Sequence, residues 1–357
     1  MNMHFIATFA RKISPIMRLK GRIHHIILVS AMAAALSAGN VRAAGYVPFV
    51  SVYVTSWTDD VPDIRYVHCI NYAFARVNDT FDGVTLDNED RLRSIIALKS
   101  EKKALKVVLS IGGWGSGGFS EMAADARKRR SFAWDCRRLV WDMGIDGIDI
   151  DWEYPTSDEA GITASAEDTE NLTLLLKEIR TAIGPKRTLS VATVSSARYV
   201  GFRQVNKYVD YYNVMTYDMG LPPSHNAPLY KSQRVQNISV SEAVEMYVQA
   251  GVPRDKIVLG IPFYGRGSGD FPEDVKVTDA HLVNNYYYNW DDDAKVPYMA
   301  DRSGTLIYSY EDTMSLRYKC EYVLEQQLRG VMCWPNSGDD EDGTLLKTVS
   351  NSLLSGK

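Results

Sequence analysis

Cysteine is scarce in this chain. The four present, Cys69, Cys136, Cys320 and Cys333, lie far apart and include no Cys-x-x-Cys pair. An exported chain can form disulfides, but Cys69 in "YVHCINYAFA" and Cys333 in "GVMCWP" sit in apolar runs, which reads as buried, unreactive thiols. Histidine is also sparse. His4, His24 and His25 fall at the extreme N-terminus, and His68, His225 and His281 lack metal-ligand spacing, so no metal and no other cofactor is expected. Positive charge is not in excess, with 40 Lys and Arg against 44 Asp and Glu. Nucleic acid is an unsuitable partner for such a surface, because phosphate contacts need clustered Lys and Arg. Nucleotide fingerprints are missing too. "SIGGWGSGG" (110–118) has neither Gly-x-Gly-x-x-Gly spacing nor a Walker lysine.

The N-terminus has its own character. Arg11, Lys12, Arg18, Lys20 and Arg22 precede an apolar run from Ile26 to Leu36, which leads into "SAGNVRAAG". A basic flank, a short apolar core and small residues before a cut describe a secretory signal peptide over 1–44, cleaved after Ala43 or Ala44. Met17 is an alternative start. The run falls short of the ~20 residues of a bilayer span, so no stable membrane insertion is expected after cleavage. No cysteine follows the small residues to carry a lipid anchor. Export to the periplasm or beyond the cell is the expectation. Removing 1–44 takes away six basic residues and no acidic one, moving the formal charge from −4 to about −10. Nothing in the sequence sets an oligomeric state.

Eight β-rich runs follow at intervals: 49–55, 67–75, 106–111, 147–154, 188–194, 211–217, 257–263 and 330–334. Several, such as "KVVLSIGG" and "DKIVLGIPF", are almost continuously apolar, as parallel strands covered on both faces must be. Helical periodicity fills most gaps. Leu172, Leu175, Leu176, Ile179 and Ile183 recur at helical spacing before Gly184-Pro185 ends the segment. The gap "TDDVPDIRY" is too short for a full helix. This alternation over 45–357 predicts an α/β chain folded as a (β/α)8 TIM barrel. The open doubly wound sheet is the lesser alternative, since its phosphate fingerprint is absent.

"DGIDIDWEYP" (146–155) places four carboxylates among apolar residues. Strand alternation puts Asp149, Asp151 and Glu153 on one face and Ile148, Ile150 and Trp152 on the other. In a barrel the apolar set packs outward against helices and the acids point to the C-terminal mouth, where active sites of this fold lie. Acids roughly 7 Å apart in a dehydrated pocket are poorly solvated and repel one another, so they cannot all ionise. One that keeps its proton near neutrality is what general-acid catalysis needs. Asp146 reads as structural. A calcium site is the competing reading, but it normally uses a flexible loop with a turn glycine.

The same stretch resembles the Asp-x-x-Asp-x-Asp-x-Glu signature of glycoside hydrolase family 18, and "WEYP" resembles its chitinases. Further motifs in the family's order are "YVTSW" (53–57), "INYAFA" (70–75), "LSIGGW" (109–114), "MTYD" (215–218), "GIPFYGRG" (260–267) and "GVMCWPNSGDD" (330–340). The resemblance implies a retaining glycosidase cleaving β-1,4-linked N-acetylglucosamine in chitin or its oligosaccharides, with the substrate's own acetamide as nucleophile. Carried over by position, Glu153 is the acid and then the base. Asp151 orients the acetamide, Asp149 shares a proton with Asp151, and Tyr217 donates to the acetamide oxygen. Trp334 would floor the cleaving subsite. Asp218, Trp114, Tyr264, Arg266 and Met215 would line the substrate path. Ser110, Gly112 and Gly113 are read as small structural residues beside the acids, with Ser110 bonding them. Tyr53 and Phe74 are read as packing.

Many family chitinases insert an α+β element between the seventh and eighth strands. Here the corresponding segment, about 266–305, is reduced to roughly forty residues, which implies a shallower cleft, suited to endo cleavage or short soluble chains. No Ser/Thr/Pro-rich linker follows the last strand, so no separate chitin-binding module is expected. Two other functions use the same scaffold: an endo-β-N-acetylglucosaminidase acting on N-glycans, and a non-catalytic chitin-binding lectin. Retention of Glu153, Asp151 and Tyr217 argues against the lectin.

Overall fold

The computed structural model describes residues 46–354 except 270, 273 and 274; the expected signal peptide lies outside them. Eight parallel strands close on themselves. In chain order they are β1 (Phe49–Thr55), β2 (Cys69–Val77), β4 (Lys106–Gly112), β5 (Gly147–Asp151), β6 (Thr188–Val194), β7 (Tyr211–Met215), β8 (Ile257–Pro262) and β13 (Gly330–Trp334). Neighbours pair in the order β1-β13-β8-β7-β6-β5-β4-β2, and β2 returns to β1 to shut the barrel. β3 (Val84–Leu86) forms a hairpin on the end of β2. All eight expected strands are present. The fold is the TIM barrel.

Helices cover the outside. They are α1 (Glu89–Ala97), α2 (Phe119–Ala124), α3 (Ala126–Met143), α4 (Asp168–Ile183), α5 (Phe202–Val205), α6 (Val240–Gln249), α7 (Thr313–Glu325) and α8 (Thr344–Leu354). Their ends follow local chemistry. Asp125 caps α3 by accepting from the Arg127 and Lys128 amides, and Gly144 closes it in left-handed backbone. Ser239 and Glu242 form a capping box on α6. Between β1 and β2 there is only a 3₁₀ turn, Ile64–Tyr66, as the short gap demanded. The apolar stripes of these helices bury Leu92, Phe132, Leu176 and Val244 against the outward faces of the strands. The four cysteines are free and buried.

Two strands end earlier than their apolar patterns suggest. β5 stops at Asp151 rather than Tyr154, and β7 at Met215 rather than Tyr217. The ladder gives the reason. The last partner of β5 is Gly112 opposite Asp151, and on the other side Val191 opposite Ile150. β4 ends at Gly112, so past Asp151 the ladder is lost on that side, and the chain turns out at the barrel mouth.

The segment after β8 is more regular than its Asp, Asn and Tyr content suggests. β9 (Arg266–Gly267), β10 (Tyr287–Asp291), β11 (Val296–Ala300) and β12 (Leu306–Ser309) form an antiparallel sheet in the order β10-β11-β12-β9. The long loop after β7 is pinned onto this sheet. His225 Nε2 lies 3.1 Å from Asp291 Oδ2, the Leu229 amide donates to the Ala294 carbonyl, and the Ser232 hydroxyl donates to Asp291.

Outside the mouth, the least solvated ion pair joins Lys319 on α7 to Glu311 just before it, both essentially unexposed. Burial disfavours charge on each partner, raising the Glu311 carboxyl and lowering the Lys319 ammonium. Removing one partner strands the other. Glu311→Ala should therefore destabilise the protein by about 3–5 kcal/mol, whereas Glu311→Leu with Lys319→Met should recover most of the loss. Urea denaturation midpoints of the two variants check this, and equal losses would contradict it.

Candidate active site

Asp149 sits at the bottom of the mouth with no exposed surface. Four side chains from four strands donate to it. Tyr53 Oη and Ser110 Oγ reach Oδ2 at 2.8 Å each, and Ser190 Oγ reaches Oδ1 at 2.6 Å. Asn213 Nδ2 reaches Oδ1 at 3.2 Å and also donates to Tyr53 Oη at 3.0 Å. Burial raises the Asp149 carboxyl above its ordinary range, and these bonds offset part of the rise. Ser110 bonds the acid as expected. Among the described residues no hydrogen bond joins Asp149 to Asp151; the Asp149 oxygens are engaged by these four donors.

Asp151 is the contrary case. It is buried, and its Oδ1 has no hydrogen-bond partner. Burial pushes its pKa well above the usual range, and the charges of Glu153 and Asp149 add to this. Glu153, two residues beyond, is pushed up to about 7, chiefly by burial; the Asp218 charge adds to this and the Tyr154 hydroxyl opposes it. Trp152 between them points away and stacks on Phe119 at 5.3 Å, in the core as its alternation requires. Two glycines permit close packing here, Gly112 against this strand and Gly113 against Phe74 of β2. A Cβ at Gly112 would collide with the Asp151 carbonyl, and one at Gly113 would come within 2.7 Å of the Phe74 ring. The Glu153–Tyr154, Ala73–Phe74 and Trp334–Pro335 peptide bonds, all at the mouth, are cis.

Above the acids lies a cleft of about 920 Å³. Asp151, Glu153, Tyr217, Asp218, Trp114, Arg266, Met215 and Trp334 all line it, so the structure brings together most of the residues singled out in sequence. Tyr217 is nearly buried, edge-on to Tyr264 at 6.1 Å, and its hydroxyl lies 4.0 Å from Met332 Sδ. Burial holds its pKa well above 10, so it remains a donor. Trp334 is wedged between Tyr53 and Phe74, at ring separations of 5.6 and 5.7 Å. Trp114 is 62% exposed, edge-on to Tyr154. At the rim, Asp218 Oδ1 accepts from Tyr264 Oη and Arg266 Nε, both at 2.8 Å. Tyr264 thus acts on Asp218 and is not itself part of the cleft lining. Asp146 lies elsewhere, holding Lys99 at 2.7 Å and the Val107 amide at 2.8 Å.

Tyr53 and Phe74 do more than pack: one bonds Asp149 and the other supports Trp334. Ser190 and Asn213 were not singled out at all. A signal for both was present, since each is a polar residue in the middle of a strand rich in apolar residues, "TLSVATV" and "YYNVM". Such a residue, once buried, needs a polar partner. Trp57, 65% exposed beside Phe74, also lines the cleft.

The shifted Glu153 carboxyl has a consequence for folding. Its pKa is raised from about 4.5 in the unfolded chain to about 7 in the folded one, so the folded state is penalised as pH rises through that interval. Glu153→Gln removes the penalty. The variant should match the wild type at pH 4 and exceed its stability by about 3 kcal/mol at pH 8. Thermal or urea unfolding at the two pH values checks this.

Comparison with known proteins adds an independent line. The family model described as glycosyl hydrolases family 18 matches residues 50–339. Chitinase A1 of Niallia circulans is 33% identical over 327 residues, which are 77% of this chain and 46% of that protein. Chitinase B of Serratia marcescens is 28% identical, covering 78% and 74% of the two chains. Among solved structures, a family 18 N-acetylglucosaminidase from Paenibacillus barengoltzii superposes with a TM-score of 0.78 at 33% identity, over 85% of this chain and 99% of the other. The Group IV chitinase of Ostrinia furnacalis in complex with allosamidin gives 0.77 at 28% identity, over 87% and 100%.

Proposed function

The chain belongs to glycosyl hydrolases family 18, and we propose that it hydrolyses β-1,4 bonds between N-acetylglucosamine units of chitin or chitooligosaccharides, with net retention and through the substrate's own acetamide. The observation that carries this reading is the buried, unpartnered Oδ1 of Asp151 beside a Glu153 that keeps its proton near neutrality. An acceptor with no donor of its own suits an amide N–H that arrives with the sugar. Chitinase relatives and a chitinase neighbour that binds allosamidin support a chitin-like ligand.

In this mechanism Glu153 gives its proton to the glycosidic oxygen as the bond to the anomeric carbon breaks. The acetamide oxygen forms the new bond to that carbon, giving an oxazolinium ion. Asp151 accepts the acetamide N–H and offsets the positive charge. Tyr217 donates to the acetamide oxygen and holds it in line. Glu153, now a carboxylate, takes a proton from the water that opens the ring. Asp149 is the anchor that keeps Asp151 in register. The work is positioning and electrostatic stabilisation in a desolvated site. Trp334 offers the flat apolar surface for a sugar's C–H face, and Met215 and Trp114 flank the path. Asp218, already paired to Arg266, would take a sugar hydroxyl at the rim.

Residues 1–44 are proposed to direct export and be removed, leaving 45–357 as the catalytic barrel. Among the described residues no helix is long and apolar enough to cross a membrane. The expected surroundings are periplasmic or extracellular.

Glu153→Gln should cut kcat on a chromogenic chitotriose by at least ~10³-fold while sugar binding persists, since the proton donor is lost but the platform is kept. An unchanged rate would remove Glu153 from the mechanism. Proton NMR of fresh products from an N-acetylglucosamine hexamer should show the β-anomer first, and an initial α-anomer would exclude retention. Mass spectrometry of the same digest separates release of single sugars from internal cleavage. Activity confined to a high-mannose glycoprotein would replace chitin by the N-glycan core as substrate.

A further inference from the structure

The antiparallel sheet between β8 and β13 contributes only Arg266 to the cleft lining, but its hydrogen bonds lead inward. Asp218 has left-handed backbone, φ 54°, which a non-glycine residue keeps only where its surroundings fix it. Its amide donates to Asn226 Oδ1 at 2.8 Å, and the next amide, Met219, donates to the Asn226 carbonyl at 3.0 Å. Asn226 is 1% exposed. Its own amide donates to Ser309 Oγ on β12 at 2.9 Å. In the β12–β9 ladder Ser309 stands opposite Arg266, and Arg266 Nε donates to Asp218 Oδ1 at 2.8 Å. The contacts therefore form a closed circuit from Asp218 through Asn226, Ser309 and Arg266 back to Asp218.

We propose that Asn226 is a positioning residue for the reaction: with Ser309 it ties the Tyr217–Asp218 turn to the small sheet, so that the sheet fixes the phenol that faces the acetamide. The proposal rests on the role given to Tyr217 above. Asn226 and Ser309 lie outside the cleft lining, whereas Asp218 and Arg266 belong to it, so Asn226 and Ser309 act through Tyr217 and Asp218 without touching substrate. The His225–Asp291 and Leu229–Ala294 bonds hold the rest of the loop on the sheet; the turn itself is held by the Asn226 bonds, flanked by Thr216 Oγ1 donating to the Gly260 carbonyl and Asn237 Nδ2 donating to the Met219 carbonyl. A tyrosine displaced by a fraction of an ångström loses alignment in the transition state more than it loses ground-state binding.

The test compares Asn226→Ala, Ser309→Ala, Ser309→Thr and the Asn226→Ala/Ser309→Ala double variant on an N-acetylglucosamine tetramer. Amide hydrogen exchange over Met215–Met219 is followed in the substrate-free proteins. Asn226→Ala should lower kcat about tenfold with KM changed less than about twofold. Ser309→Ala should lower kcat about threefold, Ser309→Thr should restore the wild-type rate, and the double variant should be no slower than Asn226→Ala, because both residues act in one circuit. Exchange over Met215–Met219 should accelerate in Asn226→Ala. Unchanged kcat with only a lower melting temperature, losses that multiply in the double variant, or unchanged exchange would each overturn the proposal. A wild-type protein inert on every sugar would refute the functional reading instead, and the exchange result would still decide whether Asn226 holds the turn.

Discussion

The site depends on the burial of three neighbouring acids under unequal compensation. Asp149 has four donors, Asp151 has an oxygen with none, and Glu153 stands at the edge where water is nearly excluded. Desolvation raises all three carboxyls; four donors oppose the rise at Asp149, the Tyr154 hydroxyl opposes it at Glu153, and no hydrogen bond opposes it at Asp151. The gradient separates roles among identical functional groups. The innermost acid anchors, the middle one waits for a donor, and the outer one carries a proton that can leave.

The barrel produces that gradient by geometry. Each donor to Asp149 comes from a different strand, β1, β4, β6 or β7, so the anchor forms only when the cylinder is closed. Gly112 lets β4 approach β5 closely at the level just above Ser110 and Asp149. Past the end of β5 the chain leaves the ladder, which puts Glu153 at the mouth instead of in the packed interior. The loop after β7 and the small sheet perform the same service for Tyr217 and Asp218. The proposed catalytic constellation thus lies where regular structure ends but is held by regular structure on every side.

Much of this was legible in the amino acids. Eight apolar runs gave the barrel, and alternation in "DGIDIDWEYP" separated the acids from Ile148, Ile150 and Trp152, which the core accepts. What escaped was long-range. Tyr53 lies 96 residues from the carboxylate it bonds and 160 from Asn213, and nothing local marks either as a partner. β5 and β7 stop short of the runs that mark them because hydrophobicity continues into Trp152 and Val214-Met215-Thr216-Tyr217, whereas a strand lasts only while its backbone is paired. The sheet after β8 was hidden for a related reason. Its strands are short and rich in Tyr and Asn, and they are held by pairing with each other and by the loop that docks on them.

The most direct measurement is a carbon-13 NMR titration of the side-chain carboxyls, with the Glu153 resonance assigned by its loss in Glu153→Gln. The account predicts that this carboxyl titrates near 7, with a second inflection from Asp151 because the two are neighbours. A Glu153 that titrates near 4.5, as a solvated glutamate does, would contradict it.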